Sequence, residues 1–417
     1  MSVDLSWQLV CAALVIFMTP GLAFFYGGLV KSKSAVSMMM LSFGSLAVVT
    51  ILYVLYGGTG IAGNGTSGGS KLFGNPFQDF AMSDLVTTAG SGDAGNLFGG
   101  HAFLVAFCII TVALVSGAVA DRARFWPWML FAALFATFVV FPTFRWIWGV
   151  DEEGTFYGWL ANDVYGLGGS LDWAGGTVIH QSAGAAALAL ALVLGRRVGF
   201  SKELAVSHNV PLVLIGAAIL WFGWFGFNTG VYGADEGQTS LIFLNTLLTP
   251  AAALIGWIVV ETVRNGKATA VGAASGIVTG LVAITPACAF LTPSWALVLG
   301  LVSGAICAVA IELKFKLGFD DSLDVVGIHL VAGFVGCVYV GIFGAESLTG
   351  GSLVFGGNLE LLGAQVLSSL TVIAFSFVVA YVIATAIEKT IGFRVTEEDE
   401  IAGIDSVLHG SEGYAID

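Results

Sequence analysis

Ten stretches of the chain carry no Asp, Glu, Lys or Arg: 5–30, 34–70, 94–120, 125–144, 173–195, 204–234, 237–260, 268–311, 325–345 and 361–387. Each could cross a hydrocarbon core, which takes roughly 20 helical residues. The run 268–311, at 44 residues, is too long for one crossing, and Thr285-Pro286 and Thr292-Pro293 punctuate its middle. It predicts two helices joined by a tight turn, which brings the expected total to eleven spans. The first run has no basic leader, continues to Val30 and is followed by Lys31 and Lys33. That predicts a retained helix, not a cleaved signal. Segments such as Ala183-Gly184-Ala185-Ala186-Ala187 let helix backbones approach closely, the main source of helix association in lipid.

Composition sharpens this picture. Of 417 residues, 57% are hydrophobic and 10% charged, whereas soluble domains carry charge at about 25% of positions. A soluble enzyme or a disordered scaffold is excluded, and a net charge of −13 argues against a nucleic-acid partner. Thirteen of the fifteen Lys and Arg fall in alternate connections, Lys202 among them, and only Lys71 and Arg145 in the others. The asymmetry places the N-terminus outside and the C-terminus in the cytoplasm, with acidic, Gly-rich external loops at 59–99 and 146–172. Cys11, Cys108, Cys288, Cys307 and Cys337 lie in or near apolar stretches without CxxC or Cys/His spacing. They read as small apolar side chains, and neither a metal site nor a cofactor is expected.

The chain repeats itself once. Ile179-His180-Gln181-Ser182-Ala183-Gly184 and Ile328-His329-Leu330-Val331-Ala332-Gly333 share Ile-His-x-x-Ala-Gly five spans apart. Because five is odd, a duplicated five-helix unit enters the membrane inverted, and such repeats place a transport site at their interface near mid-membrane. Ionisable groups within spans point to function, so His180 and His329 are the leading candidates, although each could be an isolated core histidine bonded to a carbonyl. From the span ends, His180 lies about 11 Å from the outer edge and His329 about 6 Å from the inner one, at 1.5 Å per residue. Contact between them requires the segment 319–324 to dip into the interior, with Asp320, Asp321 and Asp324 capping the broken helix start. Asp172, eight residues before His180, suits a cap and alternatively a direct cation ligand. The dense run Trp221-Phe222-Gly223-Trp224-Phe225-Gly226-Phe227-Asn228 suggests close helix contact more than lipid exposure. With Phe107 and Trp148 in the outer thirds of their spans, it offers a cage for a small cation.

These segments together resemble the ammonium transporter family (Amt/MEP/Rh), bacterial-type Amt, over nearly the full length. Phe24-Phe25-Tyr26-Gly27-Gly28-Leu29, Gly117-Ala118-Val119-Ala120-Asp121-Arg122, Asp172-Trp173-Ala174-Gly175-Gly176-Thr177-Val178-Ile179-His180, Trp224-Phe225-Gly226-Phe227-Asn228, Thr285-Pro286-Ala287-Cys288 and Asp324-Val325-Val326-Gly327-Ile328-His329 carry the resemblance. It implies an all-α polytopic fold of eleven helices with a 5+5 inverted repeat, assembled as a homotrimer with one pore per subunit in the plasma (inner) membrane. The transport domain would span 1–388, with repeat one about 5–195, repeat two about 204–345 and a final helix 361–388. A cytoplasmic regulatory tail, 389–417, would meet a PII-type signal protein.

The resemblance implies recruitment of ammonium by Phe107, Trp148 and the position of Val231, a gate of Phe107 stacked on Phe227, and a pore lined by His180, His329 and Trp224. Asp172 would support the entrance or the deprotonation. Two positions depart from the family's pattern. Asn228-Thr229-Gly230-Val231 replaces Asn-Ala-Gly-Ser, so Val231 offers no hydroxyl, and Phe103-Leu104 replaces Phe-Gln.

The expected function is non-enzymatic transport. NH4+ is captured outside and loses its proton at the gate, and NH3 passes the twin histidines, with the proton left behind or relayed separately. The alternatives are an ammonium sensor and an electroneutral NH3/CO2 gas channel of the same fold. The acidic tail, which ends at Asp417 without an appended signalling domain, favours transport over sensing.

Overall fold

In a bilayer every backbone N–H and C=O must find its partner inside the protein, which leaves helices as the solution for separate apolar runs. The computed structural model describes residues 5–63, 70–87, 94–149, 157–201 and 207–414. Among these, regular structure is helical apart from two isolated β-bridges. Lys202 and parts of the two long loops lie outside the described residues, as do residues 415–417 of the tail.

Among the described residues, ten helices are long and apolar enough to cross a membrane: α1 Leu5–Leu29, α2 Ser32–Ile61, α3 Leu97–Val119, α4 Phe125–Trp148, α5 Gly176–Leu194, α6 Val210–Thr229, α7 Glu236–Asn265, α9 Pro293–Leu317, α10 Val326–Phe343 and α11 Leu359–Thr390. The shorter apolar helix α8 covers Ala270–Ile284. The run 268–311 thus divides at its Thr-Pro pairs, but the count differs from the eleven full spans expected. At 15 residues α8 falls short of the roughly 20 a hydrocarbon core takes. Its continuation, Thr285–Leu291, leaves the helix as tight turns shielded inside the protein, where irregular backbone is tolerated.

Helices far apart in the sequence meet each other. α1 packs along α6, and α5 packs against the first turn of α10. Trp173 and Ala174, ahead of α5, donate their amides to Pro286 and Thr285 beyond α8. Ser322 and Leu323, ahead of α10, donate theirs to Ala118 and Gly117 at the end of α3. Each irregular stretch therefore finds its hydrogen-bond partners at the end of a helix distant in the sequence. The segment 319–324 does enter the interior, with Asp320 and Asp321 fully buried.

The shared Ile-His-x-x-Ala-Gly motif has a packing reason. Histidine and glycine lie four residues apart, on one helix face. A Cβ on Gly184 would lie 2.5 Å from the amide nitrogen of Leu330, beside His329, and one on Gly333 would lie 2.8 Å from the Gly176 carbonyl and 3.2 Å from Cβ of His180. Each glycine admits the other helix at its histidine. The aromatic run on α6 has two faces. Gly223 and Gly226 meet Met18 and Leu14 of α1, as close contact requires, whereas Phe222 is 60% exposed and faces outward.

Candidate functional site

α5 and α10 both open with a π-helical turn, Gly176–Gln181 and Val326–Leu330, and each turn carries the histidine. Such turns displace one residue from the regular ladder and recur at functional positions. The first is held by Asp172. Its Oδ1 accepts the amides of Gly175 (3.0 Å) and Gly176 (2.6 Å), and its Oδ2 those of Thr177 (2.8 Å) and Val178 (3.3 Å). Gly175 makes this geometry possible with φ +110°, a value open to glycine and strained for other residues. The carboxylate is occupied as a backbone cap, the blander of the two roles expected for it. At the second turn Asp321 Oδ2 takes the amide of Val326 (2.7 Å), while Asp324 pairs with Lys314 (2.6 Å). The three acids of 319–324 divide the work, and Asp321 does the capping.

The two imidazoles meet at Nδ1–Nδ1 3.2 Å with ring planes 23° apart. Trp224 stacks on His180 at 5.4 Å, held by a hydrogen bond from its Nε1 to Thr285 Oγ1 (2.8 Å). Above the pair, Phe107 and Phe227 stack at 4.1 Å and 11°, both buried. Trp148 stands edge-on to Phe107 at 5.9 Å and donates Nε1–H to the Asp172 carbonyl (2.9 Å). Val231 and Leu104 are partly buried and pack on the apolar core, so neither contributes a polar group to this mouth.

A narrow cavity of about 10 Å³ runs between Phe227 and the histidines, walled by Leu22, Phe25, Ile110, Leu114, Val278 and Ile328. That is about the least volume that holds one water. Phe25 and Ile328 lie in segments that carry the family resemblance, but nothing in the sequence distinguishes Leu22, Ile110, Leu114 and Val278, because apolar side chains in helices occur on every face. Among the described residues, no group of three or more His, Cys, Asp or Glu converges as metal ligands.

A second cluster lies at the face where the tail packs. Arg122, fully buried, donates to the Asp320 carbonyl and to Ser322 Oγ, and Arg197 bridges Asp320 and Asp121 at 2.9 Å each. Burial pushes the Arg122 guanidinium down to about 10 against the pull of Asp320. Burial pushes the Asp320 carboxyl up, but its hydrogen bonds from Arg197 and the charge of Arg122 hold it below its ordinary range. Asp321 is raised to about 6 by burial, with Lys314 opposing. Beside this cluster the tail docks through Glu400, which accepts the Val198 amide and pairs within the tail with Arg394, and through Asp405, which accepts the amides of Val36 and Ser37 near the start of α2. The acidic tail is thus folded against the helix connections rather than extended into solvent. In the sequence Arg122 counts toward orientation and lies in a segment that carries the family resemblance, but nothing there places it in a buried ion cluster.

An all-helical, multi-pass membrane protein with a constricted, aromatic-capped cavity between two helices that share one motif is the class that fold and site define. Residues 6–414 match the model of the Ammonium Transporter Family, and the chain belongs to that family. It is 45% identical over 435 residues to an ammonium transporter of Mycobacterium tuberculosis, covering 99% of this chain and 90% of that protein. It is 40% identical over 418 residues to an ammonium transporter of Bacillus subtilis, covering 99% and 98%. Among solved structures, a sensor Amt protein superposes with TM-score 0.86 at 26% identity, covering 98% of both chains. Candida albicans Mep2 does so with TM-score 0.82 at 29% identity, covering 95% and 87%.

Proposed function

We propose that this protein carries ammonium across the plasma membrane by separating NH3 from its proton. The single observation that carries the reading is the imidazole pair at 3.2 Å inside an otherwise apolar cavity. A neutral Nδ1–Nδ1 hydrogen bond needs one donor and one acceptor, so the rings hold opposite tautomers. One ring then keeps a bare Nε2 and the other an Nε2–H. His180 Nε2 has no partner among the described residues, which suits contact with a passing solute. Placing a charge at mid-bilayer costs about 2.5–3.5 kcal/mol on insertion scales and 10–17 in simulation. Desolvated aromatic rings return about 2 kcal/mol. Phe107 and Trp148 can therefore hold NH4+ at the mouth, but the cavity favours NH3. K+ cannot shed its charge and meets the whole barrier.

On this reading Phe107 and Phe227 gate the mouth, Trp224 supports His180, and Asp172 holds the α5 turn that aims it. Val231 makes the mouth less polar than a serine would. A 5+5 inverted repeat accounts for the reciprocal contacts of α1 with α6 and α5 with α10, with the N-terminus outside. A homotrimer and a PII-type partner at the folded tail remain part of the proposal. The likeness to a sensor Amt protein favours sensing as the second reading, in which the same site reports occupancy through the tail. An NH3/CO2 gas channel differs from both by moving no charge.

Vesicles holding the purified protein are to be pulsed with ammonium while current is recorded. Wild type should give an ammonium current and none with K+. His180→Ala and His329→Ala should lose the current or begin to pass K+. Wild-type current with K+ still excluded in both variants would overturn the role of the pair, and uptake of labelled methylammonium without current would select the gas channel.

A further inference from the structure

On the face opposite the tail, the structure holds a second and much larger cavity, of about 230 Å³. It lies beside the mouth but is lined by neither the Phe107–Phe227 stack nor the histidines. The residues that line it include Tyr53, Phe144, Trp148, His101, Gln78 and Asp79. No Lys or Arg lines it among the described residues. The nearby Arg145 guanidinium is turned to the carbonyls of Gly63 and Ser70.

Two features show that the chamber is built. Tyr53, 2% exposed, ties its hydroxyl to His101 Nδ1 at 3.0 Å, with the rings edge-to-face at 5.9 Å. The segment that delivers Asp79 is strained. Asp79, Ala81 and Met82 have φ of 46°, 60° and 56°, a left-handed region that non-glycine residues rarely adopt. Three such residues in four positions persist only where the surroundings impose them, and strain of this kind gathers at ligand clamps. Thr59 Oγ1 bonds the Asp79 carbonyl (3.0 Å) and the Asp84 amide bonds Asp79 Oδ1 (2.6 Å), which holds this lining residue and its carboxylate in one place.

Aromatic faces and one carboxylate around a small chamber recognise a cation whose charge is spread over methyl groups. The volume is just below the usual range for drug-sized ligands, about 300–1,000 Å³, and far above the cavity at the histidines. We propose that this chamber binds a tertiary or quaternary methylammonium ion that is too large to pass the gate. The site lies outside the Phe107–Phe227 stack and shares two wall residues with the mouth, Trp148 and Leu104.

Calorimetric titration of the purified full-length protein with tetramethylammonium, in ammonium-free buffer, tests this independently of transport. Wild type should bind the ion, and tert-butanol, uncharged and of similar shape, should give no heat. Asp79→Asn keeps the amide bond to Asp84 and tolerates the left-handed backbone, and should weaken binding about tenfold through the lost charge. Phe144→Leu should weaken it as well. Phe227→Leu should leave it unchanged. No binding to wild type, equal binding of tert-butanol, or full affinity in both Asp79→Asn and Phe144→Leu would overturn the proposal. So would dependence on Phe227, which would place the ion in the transport mouth.

Discussion

The cavity at the histidines and the charged cluster under the tail are both buried, yet they use polar groups in opposite ways. At the cluster, Arg122, Arg197, Asp320 and Asp121 are paired with one another. At the cavity, two imidazoles share a single hydrogen bond in a largely apolar wall, and His180 Nε2 has no partner among the described residues. A buried charge that loses its partner is expensive, so the cluster is committed to holding helices and tail together. A neutral imidazole costs far less to leave unpaired, so the cavity can keep a donor or acceptor open for a solute. On the proposed function, the contrast separates the groups that hold the protein together from those that would handle cargo.

The largest expected effect tests the cluster. Asp320→Asn leaves Arg122 and Arg197 without their shared counter-charge, and should cost about 3–5 kcal/mol, read as a large drop in the thermal midpoint of the purified protein. A midpoint close to wild type would show that these charges are not coupled. The opposite region should behave differently. His180→Leu with His329→Leu removes both partners of one hydrogen bond together, which is close to neutral for stability, within about 1 kcal/mol, while the ammonium current is lost. A collapse in stability would mean that the pair is structural and would dissolve the contrast.

The smallest effect is with pH, and it tests two acids of one segment against each other. Asp321 has a folded-state pKa raised to about 6. Between the ordinary carboxylate range and pH 6 the folded state therefore holds the extra proton, and stability falls as pH rises. Asp405 is also raised, chiefly by burial, and acts in the same direction. Asp320 is held low, so its contribution is complete above the ordinary range and is lost as pH falls below it. The thermal midpoint should rise modestly from pH 7 to pH 5 and fall again below the carboxylate range. Asp321→Asn should shrink the rise. A midpoint that falls steadily from pH 7 downward would contradict this sign.

Much of the site is legible in the chain because its chemistry is scarce there. Two histidines within spans, each followed four residues later by glycine, stand out against an apolar background, and so do the aromatic run and the acid before α5. Their contact requires 319–324 to turn inward, and the rise per residue is enough to see that. The wall residues Leu22, Ile110 and Leu114 carry no such signal, and the strained loop at Asp79 carries none either, since left-handed backbone at aspartate, alanine and methionine has no composition of its own.

The sequence by itself determined that the chain spans a membrane, where most helices begin and end, and which ring nitrogens lie inside, because hydrophobic length and rare polar residues are local properties. Only the tertiary structure decided that α8 stops short and that Asp172 spends its carboxylate on four backbone amides. It alone brought Arg122 and Asp320 into one buried cluster, because those choices depend on which distant segment supplies the missing hydrogen bond or counter-charge.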